Sequence, residues 1–408
     1  MKILIDPGRE WKQIFNESWR QMRDFFYAKN MHGCHWEGIH EKYAALLPYV
    51  AHRNDLTYII GEMIGELNVS HAYVNGGDRP AIKKVHTGLL GARLEKSASG
   101  YFIITKILPG HQWNSALVSP LLHPVQVAKV GDYLLSINGT DLKNITDPYS
   151  LLANKNNTLV ELVINDKPVY QGSKTAIVKT ISDESDLYYH GWVQHNIQMV
   201  DSATNGTVGY LHVPDMTQNG LNQFAEHFYA QLDKKAIIID NRGNGGGNVS
   251  PMIVERLRRE VIRMAARRGA SEPYPVPFSA YNGKFIMLVD KYSASDGDLF
   301  AYAFKKFGIG QVIGTRTWGG VVGIAGSLPF IDGSDLRKPE VAAFSAETGK
   351  WIIEGHGVEP DIWVDNNPHE AFKGIDDQLI KAIEAAFKEA ENGKDWPPLP
   401  KEKNLKQD

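Results

Sequence analysis

Large apolar side chains recur at helical spacing between residues 10 and 30, at Trp11, Ile14, Trp19, Met22, Phe25 and Phe26. The stripe predicts an amphipathic helix facing a core. Helical spacing continues over Ile39 to Tyr49 and over Asp55 to Gly65, the latter opened by an aspartate suited to capping. From about His86 the texture changes. Short β-like runs at 101–104, 133–137, 160–164 and 176–178 alternate with turn signals, and Asn138-Gly139 follows one of them as a tight-turn pair. From about Leu187 strands alternate with helices: strand 208–213, helix 221–232, strand 236–240, helix 251–268, strand 285–289 and helix 296–307. Runs 236–240 and 285–289 are almost continuously apolar, as expected of buried parallel strands.

This pattern predicts an α/β multidomain chain. It has a mainly helical segment over residues 1–85, a small β-rich domain over 86–182 and a layered α/β domain over 183–408. A length of 408 residues fits two or three domains. The Pro- and Lys-rich tail from Trp396 to Asp408 is expected to fray.

A formal net charge of −3 provides no overall positive field for nucleic acid. Cys34 is the single cysteine, which excludes an intrachain disulfide and a zinc site built on paired thiolates. It also suits a reducing compartment. Asp6 and Pro7 interrupt the first residues before a signal-peptide core could form. There is no run of about 18 apolar residues that could span a membrane. A cytoplasmic location is therefore expected, or a periplasmic one if a leader has been removed. No cofactor, metal, nucleic acid or membrane partner is expected.

Two turns could carry chemistry. Asp240 to Asn248 joins a buried strand to a helix and has four glycines within positions 243–247. Bare N–H groups there suit an anion or a developing oxyanion. A phosphate site is the competing reading, but the P-loop ending Gly-Lys-Ser/Thr is missing. The second turn, Tyr292 to Asp298, follows strand 285–289 and holds Ser293 and Ser295. Either serine could be a nucleophile displayed on a strand-to-helix turn, or a helix N-cap. A nucleophile needs a base. Lys305 and Lys306 lie inside the following helix, and the next lysine is Lys338. His71 lies where the helical segment gives way to a loop. Trp318 to Gly323 could line a cleft, and Glu354 or Glu359 could orient a histidine; spacing alone leaves that choice open.

Taken together, segments Ser70–Tyr73, Arg242–Gly247, Ser293–Asp298, Gly314–Gly320 and Gly357–Asp361 resemble the S41 serine peptidases, specifically their tricorn branch. Trp11 to Tyr27 is similar to the opening of the tricorn catalytic region, and Val130 to Gly139 resembles the strand and turn of its PDZ-like domain. The resemblance runs nearly the whole length of the chain, in order. It implies a crotonase-like α/β core and a PDZ-like domain that binds extended peptides at a sheet edge. It also implies a Ser–His–Ser–Glu tetrad. Ser295 would be the nucleophile, His71 the general base, and Ser70 and Glu354 the groups that orient His71, with Glu359 as the fallback carboxylate. The amides of Asp296 and of a glycine in the 245–247 run, with Gly247 the choice, would form the oxyanion hole.

The activity so implied is endopeptidase cleavage of peptides or unfolded polypeptides by a homo-oligomer, expected to be a hexamer. Two departures qualify it. The large β-propellers of tricorn have no counterpart in this chain. The segment matching tricorn's acidic specificity region, Arg263 to Arg268, contains no acid, so a preference for basic residues is not carried over. The alternatives are a Ser–Lys peptidase of the carboxy-terminal-processing type and a non-catalytic PDZ scaffold.

Overall fold

Asp6 accepts the Arg9 amide and Pro7 occupies the first helical turn, so the chain enters its first helix, Pro7–Phe25, at once. The computed structural model describes residues 6–78, 81–111, 114, 117–269, 272–393 and 396–401. It divides into two units: residues up to 80 together with those from 200 onward, and residues 81–199.

In the first unit, five strands form a wholly parallel sheet in the order Ile362–Trp363, Gly310–Gly314, Lys284–Val289, Ala236–Asp240, Val208–His212. Helices Gln218–Tyr229, Ser250–Leu257, Asp296–Lys306 and Asp377–Glu391 alternate with or follow these strands. Strands 208–212 and 236–240 are buried at every position, which is why the second reads as an almost continuous apolar run up to Asp240. Phe224, Phe228, Ile237, Ile239, Met287, Phe300 and Phe304 meet in one core. Open parallel sheets offer their reactive loops at the carboxyl ends of the strands. Here those ends lead into the glycine run after Asp240 and the serine turn after Val289.

The sheet's carboxyl edge carries a buried charge cluster. Arg242 donates to both Asp240 oxygens, at 2.6–3.1 Å, and to Asp376 at 2.8 Å. Tyr210 donates to Asp240 at 2.8 Å. Burial disfavours the Asp240 charge, but Arg242 outweighs it and holds the carboxyl below its ordinary range.

The amino-terminal helices build a second core from Ile14, Phe15, Met22, Leu56, Ile60, Met63 and Leu67. Phe330 and Leu336, from much later in the chain, complete it. Arg53 bonds buried Asp332 at 2.7 Å and Ser334 at 2.7 Å. Strand Tyr73–Asn75 pairs antiparallel with Asp335–Arg337. The loop that carries His71 is therefore pinned on both sides to this core.

The other unit is an antiparallel sheet in the order Ala92–Lys96, Phe102–Ile107, Tyr133–Ile137, Leu159–Asn165, Lys174–Lys179, with Thr140–Asp141 added to the third strand. Phe102, Ile104, Leu134, Leu135, Leu162 and Val178 fill its core. The Asn138-Gly139 turn is as expected from its composition, with both residues at positive φ.

The structure corrects several sequence expectations. The helix expected over 251–268 ends at Leu257. Arg263–Ala265 is instead a strand paired with Tyr274–Val276. Beyond Leu257 no residue from 258 to 268 is buried, and Ile262 is exposed, so no apolar stripe holds a helix on the core. The stretch 39–49 is helical from Trp36 to Ala44, and a short 3₁₀ turn at Leu47–Tyr49 follows, since Pro48 cannot continue the helix. The first helix stops at Phe25, and Met31 and His32 adopt left-handed φ of 49° and 53°. Helix Ser185–Ala203 lies where no helix was expected.

Candidate active site

Ser295 is the N-cap of helix Asp296–Lys306, yet its side chain makes no capping hydrogen bond. Its backbone is at φ 56°, ψ −118°, a region that costs a non-glycine residue about 1–3 kcal/mol. An N-cap reading of this hydroxyl therefore fails, and the strain displays the side chain. Ser293 is different. It is fully buried, its hydroxyl donates to the Asn241 carbonyl at 2.8 Å, and it accepts the Asp290 amide at 3.1 Å. Ser293 is thus a strut of the turn and Ser295 its half-exposed tip.

The glycine run lies directly against Ser295. A Cβ on Gly246 would sit 2.5 Å from Ser295 Cβ and 2.9 Å from the Asp296 amide nitrogen. The Gly246 amide is spent on Asn244 Oδ1 at 3.0 Å. Gly247 forms a parallel bridge with Met216 that leaves its own amide outside the ladder. Among the described residues, neither the Gly247 nor the Asp296 amide has an acceptor. Two helices are locked together here, because the Asp296 carboxylate accepts the Ser250 amide at 2.9 Å and the Ser250 hydroxyl at 2.5 Å.

Glu354, Ser70 and His71 form a second group. Glu354 accepts the Ser70 amide at 3.0 Å, the Ser70 hydroxyl at 3.2 Å, and the Val321 and Val322 amides at 2.6 and 3.0 Å. Ser70 Oγ lies 3.0 Å from His71 Nδ1. A carboxylate only accepts, so the Ser70 proton points to Glu354 and Nδ1–H must donate to Ser70. Nε2 then keeps its lone pair. Burial lowers the pKa of His71 and the Glu354 charge partly opposes this, which leaves the imidazole titrating below its usual range. The turn bearing Glu354 is strained: Ile353, a β-branched residue, stands at φ 35°. Glu359 instead gives its carbonyl to Lys305 at 2.7 Å.

No hydrogen bond joins Ser295 to His71 among the described residues; Trp318 connects the two groups. Its amide donates to the Ser293 carbonyl at 3.0 Å, and its ring meets His71 edge-on at 5.7 Å. Gly319 packs on the Gly357 amide so closely that a Cβ would be 2.5 Å away, which ties this loop to the Glu354 turn. The contributions of Trp318 and of the Val321 and Val322 amides were not read from sequence, although the Trp-Gly-Gly segment had marked the loop. The lysines lie elsewhere. Lys305 pairs with Asp361 at 2.8 Å, Lys306 with Glu347 at 3.0 Å, and buried Lys338 donates to the Gly326 carbonyl at 3.1 Å. Among the described residues no cluster of His, Cys, Asp and Glu could hold a metal, and no helix is long and apolar enough to cross a membrane.

A parallel sheet with a strained serine at one strand end, a glycine turn pressed against it and an oriented imidazole is the equipment of a serine hydrolase. Residues 207–364 match the family model of peptidase family S41, residues 7–65 the tricorn protease C1 domain and residues 88–183 the tricorn protease PDZ domain. The chain belongs to peptidase family S41, in its tricorn branch. It is 35% identical over 390 residues to tricorn protease homolog 1 of Streptomyces coelicolor, covering 95% of this chain and 36% of that one. It is 34% identical over 393 residues to the tricorn protease of Thermoplasma volcanium, covering 96% and 38%. A crystal structure of tricorn protease superposes with a TM-score of 0.88 at 31% identity, covering 96% of this chain and 38% of that one. The chain thus spans under half the length of these relatives.

Proposed function

We propose that the chain is a serine endopeptidase acting on peptides or unfolded polypeptides. Ser295 Oγ attacks the scissile carbonyl while His71 Nε2 takes its proton. The tetrahedral oxyanion is received by the amides of Asp296 and Gly247. His71 then protonates the departing amine, and water hydrolyses the acyl-enzyme by the same proton transfers in reverse. Ser70 and Glu354 hold the imidazole in the tautomer that leaves Nε2 basic. The observation that carries this reading is the chain of contacts from Glu354 through Ser70 to His71 Nδ1. The unoccupied amides of Gly247 and Asp296 beside Ser295 support it. Each oxyanion donor of this kind contributes about 3 kcal/mol of barrier lowering.

The same reading makes the antiparallel domain over residues 86–182 a peptide-binding module and the working form a homo-oligomer, with a hexamer as the expected size. Light scattering on a sizing column measures that size directly.

The deciding experiment incubates a peptide library with the wild type and with Ser295→Ala, and follows the products by mass spectrometry. Internal cleavages that disappear in Ser295→Ala support the proposal. Cleavages that persist in the variant, or a folded wild type that neither cleaves nor reacts with a fluorophosphonate, would overturn it.

A further inference from the structure

Asp298 lies three residues after Ser295, in the first turn of the same helix, and is fully buried. A buried carboxyl ordinarily has a full set of partners. This one accepts the Gly319 amide at 2.8 Å through Oδ1, while Oδ2 has no partner at hydrogen-bond geometry. The backbone amides of Ser295 and Gly320 and the Thr317 hydroxyl also face it. Burial pushes its pKa up, and these donors only partly offset that. No step proposed above uses this group, and helix stability alone does not require a buried acid here.

Its contacts converge on one loop. Thr317 exchanges hydrogen bonds with Val358, giving its amide to the Val358 carbonyl at 3.1 Å and accepting the Val358 amide on its hydroxyl at 2.8 Å. Trp318 gives its amide to the Ser293 carbonyl and meets the His71 ring edge-on. Gly320 is needed because a Cβ there would fall 2.1 Å from the Trp318 ring. Asp298 is thus the link between the helix that begins at the serine and the loop whose Trp318 ring packs edge-on against the histidine.

We propose that Asp298 is a positioning residue: by anchoring loop 317–320 to the helix of Ser295, it holds Trp318 over His71 and fixes the approach of imidazole to hydroxyl. The role rests on the peptidase reading given above. It acts through packing on His71; the charged side chain that faces the imidazole is Glu354.

The test compares Asp298→Ala, Asp298→Asn and Trp318→Ala with the wild type on a fluorogenic peptide. Misplacing the pair by about an ångström costs roughly a hundredfold, so kcat of Asp298→Ala should fall by about that factor with KM little changed. Asp298→Asn keeps an acceptor for Gly319 and should recover most of the loss. Loss of the Trp318 cover rehydrates His71 and raises its pKa. The acid limb of kcat/KM should therefore move to higher pH in both Asp298→Ala and Trp318→Ala, a shift that a general loss of stability does not produce.

An NMR titration of His71, assigned with His71→Gln, repeats the measurement in a Ser295→Ala background where no turnover is needed. A folded Asp298→Ala variant with wild-type kcat, or with an unmoved His71 titration, would refute the positioning role. A wild type without serine-dependent cleavage, but with the His71 shift intact, would sink the peptidase reading and leave the anchor standing.

Discussion

Gly246 and Ser295 are in backbone-to-side-chain contact: the space a methyl group would need on Gly246 is already taken by the Ser295 Cβ, 2.5 Å away. The turn after one strand thereby sets how far the serine on the next turn can retreat. Gly246 also sits at φ 95°, where an L side chain is strained. Gly246→Ala should push Ser295 off its position and lower kcat by roughly a hundredfold. Fluorophosphonate labelling should slow with it, while far-UV circular dichroism stays native. A Gly246→Ala enzyme with normal labelling would show that this contact does not govern the nucleophile.

Burial depresses the pKa of His71, so the imidazole remains neutral and able to accept a proton to lower pH than a free one. The acid limb of kcat/KM should fall below the ordinary imidazole value of about 6.5. His71→Ala should abolish turnover.

Glu354 opposes that depression with its charge. Removing the charge removes a force that raises the pKa, so Glu354→Gln should move the acid limb further down in pH. This is the opposite direction from Asp298→Ala and Trp318→Ala. The same change disturbs an oxygen that accepts the Ser70 hydroxyl and two backbone amides, so kcat should fall as well. An acid limb that rises in Glu354→Gln would contradict the assigned geometry.

A lysine base is the alternative that the lysine contacts disfavour. Lys338 is buried but directed at the Gly326 carbonyl, with Glu340 at 3.5 Å. Lys338→Met, assayed below its melting transition, should retain turnover, as should Lys305→Met and Lys306→Met. Loss of chemistry in a folded variant of any of these would revive the Ser–Lys mechanism.

Arg242 neutralises two carboxylates at the carboxyl end of the sheet. Truncating one partner of a buried pair leaves the other uncompensated, at a cost of about 3–5 kcal/mol. Arg242→Ala should therefore unfold at markedly lower denaturant, as followed by tryptophan fluorescence, while a conservative change at exposed Arg267 should leave the midpoint unmoved.

The parallel strands were legible because burial on both faces demands nearly continuous apolar runs such as 236–239, and the antiparallel strands because turn pairs such as Asn138-Gly139 punctuate them. The glycine and serine turns were legible for a related reason: four glycines within positions 243–247, and a serine after a buried strand, are local signatures of backbone that must bend. Local composition could not show that residues 258–268 lack a surface to pack on, nor that helix Ser185–Ala203 forms. Nor could spacing decide between Ser293 and Ser295, or between Glu354 and Glu359. Those choices depend on which hydroxyl is tied to Asn241 and which carboxylate reaches Ser70, 284 positions away in the chain. Only the folded chain, with strand Tyr73–Asn75 paired to Asp335–Arg337, brings such distant groups to within hydrogen-bond distance.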